Sequence, residues 1–596
     1  MNLKDRLPVP LALLLFGAAS SLHAAPQPIA CNALLGQSIA GATITSAVLN
    51  MATATLPEHC EVLGSIGQHT GADGQSYAVK FHLRMPTAWR ERFYYQGGGG
   101  LDGSVGGADA PQLGQGYAVV STDSGHDGAT NVSALAGNAE FGFDPQARLD
   151  YGYDGPGRVA QAAKAIIRTY YRQTIRYAYF EGCSEGGREG LMFSQRYPDL
   201  FDGIIAGNPG MDLPKAAVAE AWDTQAFAGA ARSLTPFGFP DLATSFTSAE
   251  LSMVADAILK ACDAKDGLVD GIVANPEACR FDPRTLGPQG SGQLSASQVG
   301  ALDKVFDGAR DSKGRALYAG WFWDPGIAAG GWRTWKIGPL FPAPGNTSLN
   351  TTLGGAALPF VFTTPPNAQT AGRPGYPGTV VTTAGPVPGL PGLNDAFMAW
   401  LLSYNMDLDA PKIYARSGSF SQSAMEFMGT SSTDYRRFRA GGSKLIVYSG
   451  QADPVFSSKY HIGWYRDLAD RFGGMRDTQQ FARLFVVPGM NHCGGGPATS
   501  QFDAFGALVK WVEQGQGPAA LIGTAPADTP WPGRTRPICA YPAQPRYVGH
   551  GSIEDAANFA CVAVRDDDDH PGDGGHGNGN GHGNGNGNGN GNGNRQ

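Results

Sequence analysis

Residues 175–190, IRYAYFEGCSEGGREG, join a strand-like run to a helix-like run through the short turn GCSEG. Gly182 and Gly186 frame Ser184 in the pattern G-x-S-x-G. Glycines permit the sharp strand-to-helix turn that places a serine side chain at the edge of a sheet. This junction therefore favours an α/β fold, in which helices cover both faces of a mostly parallel sheet.

Further segments continue the same alternation of strands and helices. Apolar runs typical of strands lie at residues 77–86, 92–100, 117–126, 443–456 and 482–493. Apolar residues at helical spacing lie at residues 155–171 and around 500–515. The alternation predicts one sheet domain whose strands come from both halves of the chain.

The strand pattern stops near residue 212 and returns only after residue 410. The intervening segments are rich in glycine, proline and tryptophan, as in GWFWDPGIAAGGWRTWKIGP. Long irregular insertions of this kind are usually lids or binding loops. The predicted organisation is a first sheet part at 26–211, a lid at 212–410 and a second sheet part at 411–565. The nearly apolar-free residues 566–596 are predicted to be a disordered tail.

The N-terminus has the pattern of a secretion signal. Lys4 and Arg6 precede the apolar run LALLLFG, and small residues follow up to Ala25. Residues 1–25 are therefore predicted to be a signal peptide of a secreted or periplasmic protein. No other segment approaches the ~20 apolar residues of a membrane span, so no membrane insertion is expected. The net charge of −8 and the lack of a basic stripe disfavour a nucleic-acid partner.

The eight cysteines are expected to form disulfides, since an exported protein meets an oxidising compartment. No C-x-x-C pair is present, which disfavours a zinc site. Eight cysteines allow about 105 connectivities, so their order alone does not decide the pairing. Proximity in sequence suggests the pairs Cys31–Cys60, Cys262–Cys279 and Cys539–Cys561, which leaves Cys183 with Cys493.

A serine at such a turn becomes a nucleophile only if a histidine removes its proton and a carboxylate orients that histidine. Asp453 and His492 follow Ser184 in the order that this arrangement requires, each just after a predicted strand. His126 and His461 are weaker candidates for the base, and Asp123 and Asp127 are weaker candidates for the acid. The pattern predicts that Ser184, His492 and Asp453 act together.

Two backbone N–H groups are expected to stabilise the oxyanion of a tetrahedral intermediate. One belongs to Glu185, the residue after the serine. The other is expected from the early glycine-rich loop QGGGG, with Gly100 as the first candidate and Gly99 as the second.

The residues Cys183-Ser184, Asp453 and His492-Cys493 resemble the Cys-Ser-Asp-His pattern of the tannase/feruloyl esterase family, which includes mono(2-hydroxyethyl) terephthalate hydrolases. The resemblance implies an α/β-hydrolase fold with a large inserted lid. It also implies a carboxylic-ester hydrolase in which a Cys183–Cys493 disulfide brackets the catalytic serine and histidine. This disulfide is expected to join loops at the ends of neighbouring strands.

The resemblance further implies a structural Ca²⁺ in the lid, and no organic cofactor. The segment CDAKDGLVDGIVANPEAC would supply the ligands, because hard oxygen donors on a glycine-bearing loop suit this ion. The ligands expected are the carboxylates of Asp263, Asp266 and Asp270 and the carbonyls of Leu268 and Ile272. The alternative is a solvated acidic turn held by the Cys262–Cys279 disulfide.

The partner expected from the resemblance is a small aromatic ester, such as a feruloyl, chlorogenate or galloyl ester. A terephthalate monoester is the alternative within the family, and a serine peptidase or a non-catalytic hydrolase-fold binding protein is the alternative outside it. Aromatic residues of the lid that could stack on the substrate are Trp321, Phe322, Trp323, Trp332 and Trp335. Lid arginines that could hold a substrate carboxylate are Arg333, Arg373 and Arg416.

Overall fold

A computed structural model of the chain describes residues 27–133, 136–235, 238–338, 348–366 and 391–563, with side chains from 397 onward in the last range. The predicted signal peptide at 1–25, the predicted tail at 566–596 and Arg373 lie outside the described residues.

Most of the strands belong to one large mixed sheet. Its strands are β1 (Ser38–Ile39), β2 (Ala42–Asn50), β3 (His59–Thr70), β4 (Ser76–Pro86), β5 (Arg92–Gln96), β6 (Tyr117–Thr122), β7 (Tyr177–Cys183), β8 (Gly203–Gly207), β9 (Lys444–Gly450) and β10 (Ala482–Val487). Their order is β1-β2-β3-β4-β6-β5-β7-β8-β9-β10. Neighbours are antiparallel from β1 through the β4–β6 pair and parallel from β6 to β10. Two small antiparallel pairs follow, β11 (Ala520–Thr524) with β12 (Thr535–Cys539) and β13 (Ala543–Tyr547) with β14 (Phe559–Ala563).

The α-helices of the described residues are distributed along the whole chain. They are α1 (Pro145–Leu149), α2 (Gly155–Tyr171), α3 (Glu185–Arg196), α4 (Leu213–Ala228), α5 (Ser248–Cys262), α6 (Ala296–Asp307), α7 (Gly330–Lys336), α8 (Leu349–Phe360), α9 (Pro391–Ser403), α10 (Ala424–Met428), α11 (Arg436–Ala440), α12 (Ser458–Arg471), α13 (Met475–Thr478) and α14 (Ala504–Gln514). None of the helices in this described part of the chain is long and apolar enough to span a membrane.

Both faces of the parallel strands are buried, because successive side chains of a strand point to opposite faces. Phe180 of β7 joins the apolar core that includes residues of α2, α3 and α12, whereas its neighbour Tyr179 joins the core that includes α14. In β5, Tyr95 joins the first of these cores and Tyr94 joins the second. This double burial explains the nearly continuous apolar runs in these strands.

Residues 208–443 lie between β8 and β9 and contain helices α4 to α11. Their side chains form much of two further apolar cores, one around α5 and α6 and one around α8 and α9. The domain boundaries at 211 and 410 stay a prediction, since the stretch outside the sheet extends from the end of β8 to the start of β9.

One strand that decides the spacing of the site was not predicted. β8 has the sequence GIIAG, which is short and begins and ends with glycine, so it lacks a strand-length apolar pattern. Because β8 and β9 lie between β7 and β10, the expectation that the Cys183–Cys493 disulfide joins neighbouring strand ends is wrong. The loop after β10 reaches back across two strands to contact the end of β7.

Candidate active site

Ser184 lies on a sharp turn between β7, which ends at Cys183, and α3, which begins at Glu185. Its backbone has φ 65° and ψ −120°, a conformation that is strained for a residue other than glycine. A Cβ atom on Gly182 would lie 2.6 Å from the carbonyl carbon of Gly186, and one on Gly186 would lie 2.7 Å from the carbonyl oxygen of Gly98. The two glycines of the G-x-S-x-G pattern are therefore required by close backbone contacts.

Two hydrogen bonds connect Ser184, His492 and Asp453. The Ser184 Oγ atom lies 2.8 Å from His492 Nε2, and His492 Nδ1 lies 2.9 Å from Asp453 Oδ2. Asp453 follows β9 and His492 follows β10, so both are on loops at the carboxyl edge of the parallel strands. Ser184 and His492 are 308 positions apart in sequence, and the fold brings them within hydrogen-bond distance.

Asp453 is fully buried and every nearby polar group favours its ionised form. Its Oδ2 atom also accepts a hydrogen bond from Asn208 Nδ2 at 2.5 Å, and its Oδ1 atom accepts from the N–H groups of Val455 and Phe456 at 2.7 and 3.1 Å. Burial raises the pKa of Asp453, but His492, Asn208 and the Val455 N–H outweigh it and hold the pKa below its usual value. The carboxylate can thus fix the orientation of the imidazole. Asn208, directly after β8, was not among the predicted site residues.

The Cys183–Cys493 disulfide lies directly beside the serine and the histidine, with the two Cα atoms 6.1 Å apart. The other disulfides are Cys31–Cys60, Cys262–Cys279 and Cys539–Cys561. All the pairs suggested by the sequence are confirmed.

The glycine-rich loop after β5 is held by two carboxyl groups, that of the buried Glu189 and that of the partly buried Asp102. The Gly98 N–H donates to Glu189 Oε2 at 3.0 Å, and the Gly99 N–H donates to Asp102 Oδ1 at 2.9 Å. The Ser124 hydroxyl contacts both carboxyl groups. Burial and the negative charge of Glu189 raise the pKa of Asp102, so the two groups favour sharing one proton over carrying two charges. Asp102, Ser124 and Glu189 were not predicted to take part in the site.

These bonds distinguish between the two candidate glycines. The N–H of Gly99 is occupied by Asp102, whereas the N–H of Gly100 has no hydrogen-bond partner among the described residues. Gly100 and Glu185 line the same cleft as Ser184. The N–H of Glu185 is the first of helix α3 and needs no intrahelical acceptor. Both predicted donors are therefore free to face a substrate.

The weaker candidates for base and acid lie elsewhere. His126 stacks on Phe141, with ring centroids 3.9 Å apart, and burial lowers its pKa to about 3. His461 contacts the Ser449 hydroxyl at 2.8 Å and the Pro209 carbonyl at 2.9 Å. Asp123 accepts from backbone N–H groups of residues 80 and 125, and Asp127 pairs with Lys80. Within the part of the chain that the structure describes, none of these four residues forms a hydrogen bond with Ser184 or His492.

A cleft beside Ser184 encloses about 430 Å³ of space, part of it open to solvent. Its walls are mainly apolar, and include Leu213, Leu353, Phe362, Val455 and Phe456. Of the aromatic residues predicted for the lid, Trp335 lines this cleft, with its ring edge-on to His492 at 4.9 Å.

The other predicted lid residues have different contacts. Trp321 donates to the Asp453 carbonyl, Phe322 lies beneath Lys459, Trp323 stacks on Phe306, and Trp332 meets the edge of Phe227. Arg333 donates to the carbonyls of residues 243 and 246, and Arg416 pairs with Glu426. Neither of these two arginines is among the residues that line the cleft in the described structure.

The carboxylates of the acidic loop predicted to bind calcium accept hydrogen bonds from backbone N–H groups of the same loop. Asp263 accepts from the N–H groups of residues 270 and 271, and Asp266 accepts from those of residues 268 and 274. Asp270 accepts from the Ile272 N–H and pairs with Arg536 at 2.5 Å. Within the described part of the chain, no group of three or more His, Cys, Asp or Glu side chains is arranged as a metal site. Each carboxylate oxygen retains a free lone pair, and the calcium assignment stays a prediction.

The "Tannase and feruloyl esterase" family matches residues 60–352 and 399–562, more than half of the chain. This chain belongs to that family. A mono(2-hydroxyethyl) terephthalate hydrolase of Piscinibacter sakaiensis is 42% identical over 543 residues, covering 86% of each protein. A probable feruloyl esterase of Arthroderma benhamiae is 27% identical over 522 residues, covering 83% of this chain and 84% of that protein.

The crystal structure of feruloyl esterase B from Aspergillus oryzae superposes on this tannase and feruloyl esterase family member with a TM-score of 0.64. The two are 22% identical, and the match covers 88% of this chain and 97% of the other. The shared architecture confirms the predicted α/β-hydrolase fold. The protein is a carboxylic ester hydrolase of the tannase and feruloyl esterase type.

Proposed function

We propose that this ester hydrolase uses Ser184 as nucleophile, His492 as general base and Asp453 as the group that orients His492. The observation that supports this most directly is the pair of hydrogen bonds, 2.8 Å from Ser184 to His492 and 2.9 Å from His492 to Asp453. A serine on a strained strand-to-helix turn, open to an apolar cleft, has the exposure that a nucleophile requires. The complete set of three groups disfavours a non-catalytic binding protein.

In the first step, His492 Nε2 takes the hydroxyl proton as Ser184 Oγ attacks the ester carbonyl carbon. Asp453 stabilises the imidazolium, and the N–H groups of Glu185 and Gly100 stabilise the oxyanion. The intermediate collapses with loss of the alcohol, which receives the proton from His492, and leaves an acyl group on Ser184. Water then attacks the acyl carbon, passes a proton to His492 and releases the acid while Ser184 regains its proton.

We propose esters of aromatic, phenolic acids as the substrate class, including feruloyl, chlorogenate and galloyl esters. The apolar walls of the cleft and the Trp335 ring beside His492 suit a flat aromatic acyl group. The second candidate is a terephthalate monoester, which is favoured by the 42% identity to an enzyme named for that substrate. A substrate panel of feruloyl, galloyl and terephthaloyl esters separates the two.

We also propose that the protein is exported through the signal in residues 1–25 and that the loop of Asp263, Asp266 and Asp270 holds a structural Ca²⁺. The charged, apolar and small-residue order of the N-terminus supports export. Oxygen donors on a glycine-bearing loop support the ion, with the Leu268 and Ile272 carbonyls as further ligands.

The test of the catalytic proposal is the hydrolysis of p-nitrophenyl acetate and methyl ferulate by the wild type and by Ser184→Ala. We expect the variant to lose at least about 10³-fold in kcat, because the residual rate then depends on the oxyanion site and binding alone. Ser419→Ala, at an exposed serine in the stretch between β8 and β9, is the matched control and should keep the wild-type rate. Full activity in Ser184→Ala would refute the assignment.

A further inference from the structure

The cleft beside Ser184 contains a buried carboxyl group with no role in the steps above. Glu220, on α4, is 6% exposed and lines the cleft together with Ser184 and Trp335. A Cβ atom on Gly354 of α8 would lie 1.7 Å from Glu220 Oε2. The carboxyl group therefore occupies the space that a side chain at position 354 would fill, at the packing surface of α4 and α8.

The Glu220 carboxyl group has no hydrogen-bond or ion-pair partner among the described residues. Two charged residues that act on Glu220, Lys336 and Asp223, are themselves buried and pair with each other. The Lys336 ammonium group also lies 3.9 Å from the ring centroid of Trp321. The carboxyl oxygens are not among the fully enclosed polar atoms of the described residues, so they are reached from the cleft. A carboxyl group that lacks a protein partner at the wall of a substrate cleft is left to bond water or a ligand.

Burial favours the neutral form of Glu220. Burial raises its pKa, Lys336 lowers it and Asp223 raises it further, with a resulting pKa of about 8. A protonated carboxyl group presents both a donor and an acceptor. This pair of functions matches a hydroxyl group, which also donates and accepts.

We propose that Glu220 is a specificity-determining residue that hydrogen-bonds a hydroxyl group on the aromatic ring of the acyl moiety. The proposal rests on the proposed esterase function and specifies its substrate class as hydroxylated aromatic acids. The hydroxyl is assigned to the ring because the walls around Glu220 are apolar, including Leu213, Leu353 and Phe362. An aromatic ring packs against such walls, and its polar substituent then lies within hydrogen-bond reach of Glu220.

The same geometry disfavours a carboxylate on the ring. No Lys or Arg is among the described residues that line the cleft, and Lys336 is already paired with Asp223. Among the described residues, a terephthalate monoester would therefore find no cation for its carboxylate, and an unpaired carboxylate in apolar surroundings is strongly unfavourable. A phenol brings no charge.

The test compares kcat/KM for methyl 4-hydroxycinnamate and methyl cinnamate, which differ by the ring hydroxyl alone. The enzymes are the wild type, Glu220→Leu, Glu220→Gln and the control Asp256→Asn on the exposed side of α5. We expect the wild type to prefer the hydroxylated ester and Glu220→Leu to lose about three- to tenfold of that preference, the effect of one hydrogen bond. Glu220→Gln, which can donate and accept, should keep most of it, and Asp256→Asn should match the wild type.

A purely structural role for Glu220 would lower both rates in proportion and leave their ratio unchanged, and that outcome would overturn the proposal. The proposal would also be overturned if Glu220→Leu changed the preference for a hydroxyl group on the alcohol instead. That preference is the ratio of kcat/KM for 2-hydroxyethyl benzoate to kcat/KM for ethyl benzoate. Calorimetric binding of the two cinnamate esters to Ser184→Ala and to Ser184→Ala/Glu220→Leu separates this inference from the catalytic one. A Glu220-dependent difference in Kd supports the role of Glu220 even if the wild type hydrolyses neither ester, whereas equal Kd values overturn it even if Ser184 is the nucleophile.

Discussion

Glu189 holds the loop that carries the proposed oxyanion donor Gly100. It lies on α3, which begins directly after Ser184, and it accepts the N–H of Gly98 from the loop after β5. The same side chain accepts the Ser124 hydroxyl at 3.2 Å. One residue thus connects the helix of the first proposed oxyanion donor, Glu185, to the loop of the second.

We predict that Glu189→Gln lowers kcat by about tenfold or more with little change in KM, because oxyanion contacts act mainly in the transition state. The amide has one acceptor oxygen and so cannot accept from both the Gly98 N–H and the Ser124 hydroxyl, as the carboxyl group does. These hydrogen bonds would rearrange, and the loop would shift. Steady-state kinetics on methyl ferulate measure the effect. The control is Glu181→Gln, since the Glu181 carboxyl bonds to the Tyr94 hydroxyl and not to the loop. Equal kcat in Glu189→Gln and wild type would contradict the role.

Residues with a local signature could be predicted from the sequence, and buried partners could not. Gly182 and Gly186 are visible because the turn itself requires them, and Asp453 and His492 are visible because they follow strands. Glu189 and Glu220 lie within helices, where the sequence distinguishes a buried acid from an exposed one only weakly. The sequence AVAEAWD around Glu220, an acid among apolar residues, is a weak signal of burial.

At the scale of elements, the site depends on three loops that follow β7, β9 and β10. β8 separates β7 from β9, and its following residue Asn208 fills the gap by bonding to Asp453. The parallel strands with long apolar runs were predictable because both their faces are buried. β8 and the antiparallel strands β1 to β3 were not, since a five-residue GIIAG run and half-exposed antiparallel strands lack that signal.

We predict that Cys183→Ala/Cys493→Ala lowers kcat more than its loss of thermal stability explains. The disulfide joins the end of β7 to the loop of His492 across two strands, so its removal frees His492 to move away from Ser184. The measurement is kcat at temperatures well below the midpoint of thermal unfolding. The midpoint itself is determined by circular dichroism. Cys31→Ala/Cys60→Ala, far from the site in sequence and bonded at the sheet's antiparallel end, should lower the midpoint and leave kcat unchanged. Full activity in the first variant would make its disulfide merely structural.

At the scale of the whole molecule, the acidic loop connects the stretch between β8 and β9 to the C-terminal strands. Arg536 of β12 pairs with the Asp270 carboxylate, and Arg534 donates to the Asp270 carbonyl at 2.7 Å. Arg546 of β13 donates to the Asp266 carbonyl at 2.5 Å. The loop is thus a junction between segments that are distant in sequence, and its stability affects how both are held.

Asp263, Asp266 and Asp270 repel one another at this junction, although Asp270 also pairs with Arg536. Burial raises the pKa of Asp266 to about 6, backbone N–H groups lower it, and the charges of Asp270 and Asp263 raise it. A divalent ion between the carboxylates would remove this repulsion and bind the folded state alone, which stabilises it by about 2.7 kcal/mol at a free concentration 100-fold above Kd.

We therefore predict that EDTA lowers the midpoint of thermal unfolding by several degrees and that added Ca²⁺ restores it, whereas Mg²⁺ does not, because Mg²⁺ requires a stricter octahedral site. Asp266→Asn should give the same midpoint with and without Ca²⁺, since it removes a charged ligand. The control Asp256→Asn, on the helix that leads into the loop, should keep the full response to Ca²⁺. Differential scanning calorimetry measures all of these midpoints. Identical midpoints of the wild type in EDTA and in Ca²⁺ would favour the alternative, an acidic turn held by its own backbone bonds and by the Cys262–Cys279 disulfide.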